Sequence, residues 1–184
     1  PSLVRSVYDG EGDGADLWAT LVGLDWPALG LPEEVGGLGL GSLEVGILVE
    51  ELGRVVAPTP FLATLTQLVP FVREAGSTFR LADVAAGTCT GTAALAEGAS
   101  WRPEATTATA ERTGTGWVLG GTKAHVVDGA TADEIVVVAR LAGSTGTDGL
   151  GVLVVPAERV RATAVDVMDP TLPVATVVLD GAEV

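Results

Sequence analysis

The stretch GWVLGGTKAHVVDGATADEIVVVAR, residues 116–140, decides the fold class of the second half of this chain. It contains short runs of apolar and β-branched residues, and glycine, threonine and aspartate separate these runs. Runs of this kind favour β-strands over helices. The pattern therefore predicts strands at residues 117–119, 123–127 and 134–140.

Further short runs extend the same pattern on both sides of that stretch. They predict strands at residues 90–95, 106–110, 150–155, 160–164 and 176–179. Short strands at this spacing favour an antiparallel barrel or sandwich over alternating strand and helix units. The glycine-rich turns match neither G-x-x-x-x-G-K nor a G-x-G-x-x-G that opens a helix, so they predict no phosphate-binding loop.

The first half of the chain is predicted to be helical, because its apolar residues recur at helical spacing. Ser42 is a good N-cap, Glu44 falls in the first turn, and the apolar stripe continues to about Arg54. The same spacing predicts further helices at residues 17–24, 59–69 and 77–86. The fold class is therefore α+β, with an all-α helical domain at 1–87 and an antiparallel β-barrel or sandwich domain at 88–184.

Charge and cysteine content limit the partners and the compartment. Ten Lys and Arg residues oppose 24 Asp and Glu residues, which gives a net charge of −14. An acidic surface repels phosphate backbones and anionic lipids, so neither nucleic acid nor a membrane is an expected partner. The longest apolar runs are too short to span a bilayer, and no signal peptide is expected. The single cysteine, Cys89, suits a cytoplasmic location.

The chain carries few of the residues that usually do chemistry. One histidine, His125, and one cysteine cannot form a metal site of the His/Cys type, and no metal ligand is predicted. No G-x-S-x-G turn is present to carry a nucleophilic serine. Adjacent glutamates such as Glu33 and Glu34 do not share a helix face, so they do not form a pair of general acids.

Four stretches, taken in order, resemble the acyl-CoA dehydrogenase family. They are LGLPEEVGGLGLGSLEVGILVEELGR (29–54), GTAALAEG (91–98), the 116–140 stretch and GVLVVPAERV (151–160). The family signatures are a P-E-E-x-G-G-x-G loop, an E-E-x-G-R helix, a T-E-P-x-x-G-S-D stretch and a G-x-K-x-W-I-T-N stretch followed by A-D. The first two are matched closely, and Lys123, Ala132 and Asp133 keep the framework of the last.

The resemblance implies a helical N-terminal domain and a middle β domain, and the C-terminal four-helix domain of the family is expected to be absent from these 184 residues. Family members use FAD to convert an acyl-CoA thioester to a trans-2-enoyl-CoA, in fatty acid or steroid side-chain β-oxidation. A glutamate removes the α-proton, and in most members the C-terminal domain supplies it. No catalytic residue is therefore assigned in this chain, and neither Glu33 nor Glu97 is taken as a substitute.

The resemblance also indicates where a cofactor would lie. His125 stands where the family has a Trp that packs against the isoalloxazine, while Val127 and Ala96 stand where hydroxyl side chains are usual. The candidate cofactor-binding residues are Leu95, Ala96, His125, Val126 and Val127, mostly through their backbone groups. Two or three lost hydrogen bonds would weaken affinity about tenfold to a thousandfold. FAD is the implied cofactor, and the lost hydrogen bonds predict that this chain alone binds it weakly.

Alternatives stay open for the side chains near this position. His125 either stacks on a flavin or contacts a pyrophosphate, or it is a half-buried strand histidine that is hydrogen-bonded to backbone. Trp101 either stacks on a ligand or covers the vacated pocket. Arg102 is the candidate substrate-binding residue, through a CoA phosphate, unless it is a solvated surface arginine. Lys123 is expected to be structural, as it commonly is in the family.

The eroded motifs favour a partner subunit of a heteromeric flavin-dependent acyl-CoA dehydrogenase that lacks its own catalytic base. Some actinobacteria that degrade sterol side chains pair one complete subunit with one degenerate subunit. One alternative is an ordinary active dehydrogenase seen without its C-terminal domain, and another is a non-catalytic acyl-CoA-binding or structural module. The expected partners are acyl-CoA and another acyl-CoA dehydrogenase subunit, in a homo- or hetero-oligomer.

Overall fold

A computed structural model describes residues 2–184. The chain forms two compact units. The first runs to Thr90 and includes Val167–Leu172, and the second comprises Gly91–Asp166 and Pro173–Val184. The first unit is helical and the second is built mainly of strands, which confirms the predicted α+β fold class. The limits proposed for the two domains stay a prediction.

Six α-helices lie in the first unit, within the described residues. They are α1 (Ser2–Tyr8), α2 (Ala15–Gly23), α3 (Ser42–Arg54), α4 (Phe61–Ala63), α5 (Val69–Glu74) and α6 (Leu81–Ala85). The predicted bounds of α3 are confirmed, although Gly41 rather than Ser42 is its N-cap. The carboxylate of Glu44 accepts a hydrogen bond from the Gly41 N–H at 2.9 Å, which fixes the first turn of α3.

The helix that begins at Phe61 extends beyond its predicted end. A π-helical segment, Thr64–Leu68, joins α4 to α5, and the helix ends at Glu74. The prediction ended this helix at about residue 69. A proline inside an α-helix removes a hydrogen bond and clashes with the preceding turn. The wider π-helical turn lies directly before Val69 and Pro70, and it allows the helix to continue.

The last predicted helix, residues 77–86, forms only in its second half, as α6. The hydroxyl of Ser77 accepts a hydrogen bond from the N–H of Phe79 at 3.1 Å. This local bond stabilises a turn in place of the first helical turn. Gly87 lies beyond the end of α6 with a φ of 70°, as expected for a residue that closes a helix.

The second unit contains all eight predicted strands and one further short strand. They are β1 (Gly91–Ala94), β2 (Thr109–Arg112), β3 (Trp117–Gly120), β4 (Thr122–Val127), β5 (Glu134–Leu141), β6 (Leu150–Pro156), β7 (Arg161–Val165), β8 (Val174–Val178) and β9 (Ala182–Glu183). One sheet has the order β1-β5-β2-β3-β9, with β6 paired to the other edge of β5, and the second sheet has the order β4-β8-β7.

Most strand pairs are antiparallel, as predicted, but β5 runs parallel to both β1 and β2. A short hairpin forces neighbouring strands to be antiparallel, whereas a long connection permits a parallel pair. The chain passes through several other strands between β1 and β5, so this pair is under no such constraint. Apolar residues from both sheets form one core, which includes Leu119, Ile135, Val137 and Val177.

Candidate functional site

The candidate site of the second unit surrounds a β-bulge in β4. The pairing of β4 with β8 shifts register between Lys123 and Val126, and His125 has a φ of 54°. Positive φ is uncommon for any residue other than glycine, and a bulge redirects the side chains of its strand. Lys123 and Val126 are consequently both buried, whereas His125 between them is exposed.

The exposed imidazole of His125 lies beside the indole of Trp101. Their ring centres are 6.4 Å apart and their planes meet at 20°. The Trp101 side chain is 61% exposed. Within residues 2–184 the imidazole has no hydrogen-bond partner, so the alternative of a half-buried histidine bonded to backbone is wrong. His125 belongs to an exposed aromatic pair.

Strand β4 also contributes Lys123 to a buried ion pair. The Lys123 ammonium is completely buried and donates to a Glu97 carboxylate oxygen at 2.7 Å and to the carbonyl of Leu95 at 3.3 Å. The Glu97 carboxylate also accepts hydrogen bonds from the N–H groups of Thr107 and Ala108, at 2.7 and 3.0 Å. Lys123 is therefore structural, as the sequence comparison with the family predicts.

These contacts set the charge state of both partners. Burial alone would raise the pKa of Glu97, but the hydrogen bonds from Lys123, Thr107 and Ala108 outweigh burial and lower this pKa to about 2. Burial lowers the pKa of Lys123, and the nearby carboxylate partly opposes that effect. Glu97 is therefore an ionised structural group and not a proton acceptor near neutral pH.

The structure brings the two predicted cofactor-binding segments side by side. The carbonyl of Ala96 accepts a hydrogen bond from the N–H of Ala124 at 2.8 Å. The carbonyl of Val127 accepts one from the hydroxyl of Thr92 at 2.6 Å. Together with the Leu95 carbonyl, three of the predicted backbone acceptors already bind groups of the protein.

The residues present do not fit a flavin that this chain would hold alone. Ala96 is completely buried and Val126 nearly so, which leaves neither side chain open to a ring. Neither Ala96 nor Val127 carries a hydroxyl that could bind the edge of an isoalloxazine. Of the five predicted cofactor contacts, His125 alone is exposed.

Arg102, the predicted substrate-binding residue, follows Trp101 on an exposed segment. Its N–H donates to the Ser100 hydroxyl at 3.3 Å, which holds the backbone there. Its guanidinium makes no ion pair within residues 2–184. Arg102 is thus a free surface cation next to the aromatic pair in sequence.

Sequence reasoning missed Asp128, the residue that follows β4. This aspartate is only 6% exposed, has a φ of 53°, and its N–H donates to the carbonyl of Pro173 at 2.8 Å. Within the described residues its Oδ2 has no hydrogen-bond partner, and burial raises the pKa of its carboxyl to about 6. The available signal was its position, where the family motif has Asn.

Cavities in the first unit include one of about 550 Å³, one of about 290 Å³, and one of about 390 Å³ beside Tyr8. The 550 Å³ cavity lies between α3 and α5, and the 290 Å³ cavity is lined by Val56, Phe61 and Asp169 among others. None of the sequence-predicted site residues lines any of these three cavities. Residues 2–184 contain no group of three or more His, Cys, Asp or Glu side chains that could hold a metal ion. No helix in this range is long and apolar enough to cross a membrane.

Residues 4–91 match the family model described as "Acyl-CoA dehydrogenase, N-terminal domain". The chain is 40% identical over 129 residues to acyl-CoA dehydrogenase FadE28 of Mycobacterium tuberculosis, an alignment that covers 66% of this chain and 36% of that protein.

Two examples show that solved structures share the fold. The Tcur3481-Tcur3483 steroid ACAD gives a TM-score of 0.84 at 30% identity, over 98% of this chain and 50% of that one. The ChsE4-ChsE5 complex from Mycobacterium tuberculosis gives a TM-score of 0.78 at 26% identity, over 92% of this chain and 46% of that one. This chain thus spans half or less of the length of these relatives.

Proposed function

The chain belongs to the acyl-CoA dehydrogenase family, and on that premise we propose that it is a subunit of a flavin-dependent enzyme that dehydrogenates an acyl-CoA thioester. In this proposal it acts as a partner subunit and supplies no catalytic base. A second subunit of the same family supplies the base and most of the FAD affinity, and the assembly is cytoplasmic.

Neither carboxylate of the candidate site, Glu97 or Asp128, is suited to act as the base. A general base must be open to the substrate and must have a pKa near the working pH. The pKa of Glu97 is about 2, and Lys123, Thr107 and Ala108 occupy its oxygens. Asp128 has a suitable pKa of about 6, but it is buried and its Oδ2 does not reach the surface.

The observation that carries the partner role is the loss of hydroxyl side chains at the candidate flavin edge, at Ala96 and Val127. Each missing neutral hydrogen bond removes about 0.5–1.5 kcal/mol of binding free energy. We propose that His125 and the backbone at Leu95, Ala96, Val126 and Val127 form a rim beside FAD that the partner holds. Arg102 is proposed to contact a phosphate of acyl-CoA.

The names of two structural neighbours support the choice of partner. One is described as a ChsE4-ChsE5 complex, and the other carries the paired name Tcur3481-Tcur3483 and is called a steroid ACAD. These paired names support a complex of this chain with a second, different subunit. A steroid side-chain thioester is the acyl-CoA substrate that we would test first.

Co-expression tests the proposal. The chain is purified alone and together with a second acyl-CoA dehydrogenase subunit from the same genome. Flavin absorption and acyl-CoA dehydrogenation with an artificial electron acceptor are measured for both preparations. Flavin and activity in the complex, with neither in the lone chain, support the partner role. Flavin in the lone chain would instead favour an ordinary dehydrogenase. Absence of flavin from both preparations would favour an acyl-CoA-binding or structural module.

A further inference from the structure

We propose that Asp148 is a site at which this protein modifies its own backbone, through a succinimide that converts the linkage between Asp148 and Gly149 to an isoaspartyl linkage. The reaction needs no cofactor and no second subunit, so the inference is independent of the proposed function. It assigns a covalent modification to the loop that joins β5 to β6.

The sequence offers this chemistry at five places, because five aspartates directly precede a glycine. They are Asp9, Asp13, Asp128, Asp148 and Asp180. Glycine has no Cβ, so its nitrogen is less hindered than that of any other residue. The chain contains no asparagine, so aspartate is its sole source of a succinimide. The surroundings of each pair decide which of the five reacts.

The reaction joins the nitrogen of Gly149 to the side-chain carbon Cγ of Asp148. The N–Cγ bond forms, the Cγ–OH bond of the neutral carboxyl breaks, and the hydroxyl leaves as water with the amide proton. A water molecule then opens the succinimide ring. Opening at Cγ restores aspartate, whereas opening at the main-chain carbonyl carbon leaves a backbone that runs through Cβ and Cγ, which is isoaspartate. No atom is oxidised or reduced, and water is the sole co-reactant.

The first structural argument is the state of the glycine nitrogen, which is the nucleophile. A nitrogen whose N–H donates to a carbonyl must break that hydrogen bond before it attacks, which slows the reaction about twofold to tenfold. Three of the five glycines are bonded in this way: the N–H groups of Gly10, Gly129 and Gly181 donate to the carbonyls of Val7, Val126 and Leu119, at 3.1, 3.2 and 2.9 Å. Within residues 2–184 the N–H of Gly149 has no such partner.

The second argument is the freedom of the Asp148 carboxyl. Asp148 is exposed, and within the described residues its carboxyl makes no ion pair and accepts no hydrogen bond. Asp13 is also exposed, but its carboxyl accepts a hydrogen bond from the N–H of Ala15 at 3.0 Å. That bond must break before the Asp13 carboxyl reacts with the nitrogen of Gly14. In the part of the chain that the structure describes, Asp148 alone combines a free carboxyl with a free glycine nitrogen.

Asp128 is the rival on chemical grounds. The neutral carboxyl is the reactive form, and burial raises the pKa of Asp128 to about 6, so more of it is neutral near pH 7 than of an ordinary aspartate. Its surroundings remove this advantage. The side chain is only 6% exposed, and the N–H of Gly129 is bonded to Val126. The nucleophile is occupied there, and burial excludes the water that opens the ring.

The third argument is the turn that carries Asp148. The N–H of Leu150 donates to the carbonyl of Thr147 at 3.1 Å, so Asp148 and Gly149 are the two central residues of a tight turn. Ring closure requires a backbone rotation at Asp148, and that rotation breaks this single hydrogen bond. Residues 145–148 are exposed, so little packing opposes the movement.

Isomerisation at this position changes the end of a hairpin. The carbonyl of Gly149 accepts hydrogen bonds from the N–H of Leu141 at 2.8 Å and from the hydroxyl of Ser144 at 3.0 Å. An isoaspartyl linkage adds one carbon to the main chain directly before Gly149, and it displaces this carbonyl from both donors. The modified chain loses these two bonds, while the pairing of β5 with β6 continues from Arg140 and Leu150 inwards.

The test incubates the full 184-residue chain near neutral pH, folded in buffer and unfolded in guanidinium chloride, and locates isoaspartate by peptide mass spectrometry. In the folded protein we expect at least about fivefold more isoaspartate at Asp148 than at any other Asp-Gly pair, because each of the others must break a further hydrogen bond. In guanidinium chloride we expect the five pairs to react at similar rates, since the fold no longer distinguishes them.

Three variants test the assignment. Asp148→Glu should abolish the signal, because glutamate would have to close a larger ring that forms more slowly. Asp180→Glu removes another exposed Asp-Gly pair and should leave the amount at Asp148 unchanged. Asp148→Asn should form isoaspartate faster than the wild type, because an amide is always neutral whereas an aspartate is mostly ionised near pH 7.

Hydrogen exchange at Leu141 provides a second readout. Its N–H should exchange faster in aged wild-type protein than in aged Asp148→Glu, because isomerisation removes its acceptor, the carbonyl of Gly149. The proposal is wrong if isoaspartate in the folded protein is spread evenly over the five pairs, or if the folded chain forms none while the unfolded chain does. An excess at Asp128 would also overturn it, and would show that the ionisation of the carboxyl outweighs the freedom of the amide.

Discussion

The ammonium nitrogen of Lys123 lies 2.7 Å from a carboxylate oxygen of Glu97, at a position that solvent does not reach. This contact joins the segment after β1 to β4, the two segments on which the candidate site is built. Lys123 is fully buried and the side chain of Glu97 is 13% exposed, so neither charge can recover its hydration if the other is lost. The pair is therefore a structural requirement of the site.

We expect Lys123→Met to lower the free energy of unfolding by about 3–5 kcal/mol, because it leaves Glu97 without its counter-charge in a mostly buried position. Urea denaturation at pH 7 measures the change. Arg54→Ala is the matched control, since Arg54 pairs with Glu50 and Glu51 at 3.6 and 3.5 Å but is 65% exposed. That control should cost less than about 1 kcal/mol. Equal losses in the two variants would contradict a structural role for the buried pair.

The low pKa of Glu97 predicts how the stability of the protein responds to acid. The pKa of Glu97 is about 2 in the folded protein, whereas the ordinary value for a glutamate is 4.5. The ionised carboxylate therefore stabilises the folded protein, and this contribution is fully present above pH 4.5. That stability is lost as the pH falls from 4.5 towards 2. We expect the urea concentration at the denaturation midpoint to decrease as the pH is lowered through this range. The decrease should be smaller in Lys123→Met. An unchanged acid response in that variant would argue against the ion pair as its cause.

Asp128 makes the stability of the folded protein depend on pH in the opposite direction. Burial raises its pKa from 3.8 to about 6, so its ionised form destabilises the folded protein above pH 6 and this penalty disappears as the pH falls to 3.8. Asp128→Asn should raise the free energy of unfolding at pH 7 by about 1–3 kcal/mol and should remove this pH dependence. Asp148→Asn, at an exposed aspartate, should change stability by no more than about 0.5 kcal/mol. A destabilised Asp128→Asn protein would show that the carboxylate has a binding partner.

The strands were predictable from sequence because runs of β-branched residues are a local signal, and each run falls within a few residues of an observed strand. The direction of the side chains of β4 was not predictable. Simple alternation would place Lys123, His125 and Val127 on one face, but the bulge turns His125 outwards. The bulge depends on pairing with β8, which lies far away in sequence.

The same limitation applies to contacts between motifs. Lys123 and Glu97 both stand at positions that the family motifs mark, yet 26 residues separate them and no local pattern indicates that they form an ion pair. The parallel pairing of β5 with β1 and β2 is a long-range feature of the same kind. Asp128 was missed because an aspartate before a glycine at a strand end predicts an ordinary exposed turn.

Val56 holds a backbone conformation that suits glycine. It follows α3 with a φ of 51°, and its N–H donates to the carbonyl of Gly53 while the N–H of Ala57 donates to that of Leu52. These bonds close the helix, but a β-branched residue in this conformation is strained. Val56→Gly should therefore raise the free energy of unfolding by about 1 kcal/mol. Val55→Gly is the control, because Val55 has a φ of −107° and should gain nothing. Equal effects in the two variants would show that the strain at Val56 is negligible.

Restoring hydroxyls at the candidate flavin edge should have different results at its two positions. Val127 is half-buried, so Val127→Thr keeps the shape of the side chain and should strengthen FAD binding by the lone chain about twofold to tenfold. Ala96 is completely buried, and Ala96→Thr should instead lower the free energy of unfolding by about 1–3 kcal/mol through overpacking. Flavin fluorescence titration and thermal denaturation measure the two effects. Tight FAD binding by a stable Ala96→Thr protein would mean that the edge can open, and the chain would then be closer to an ordinary dehydrogenase than to a partner subunit.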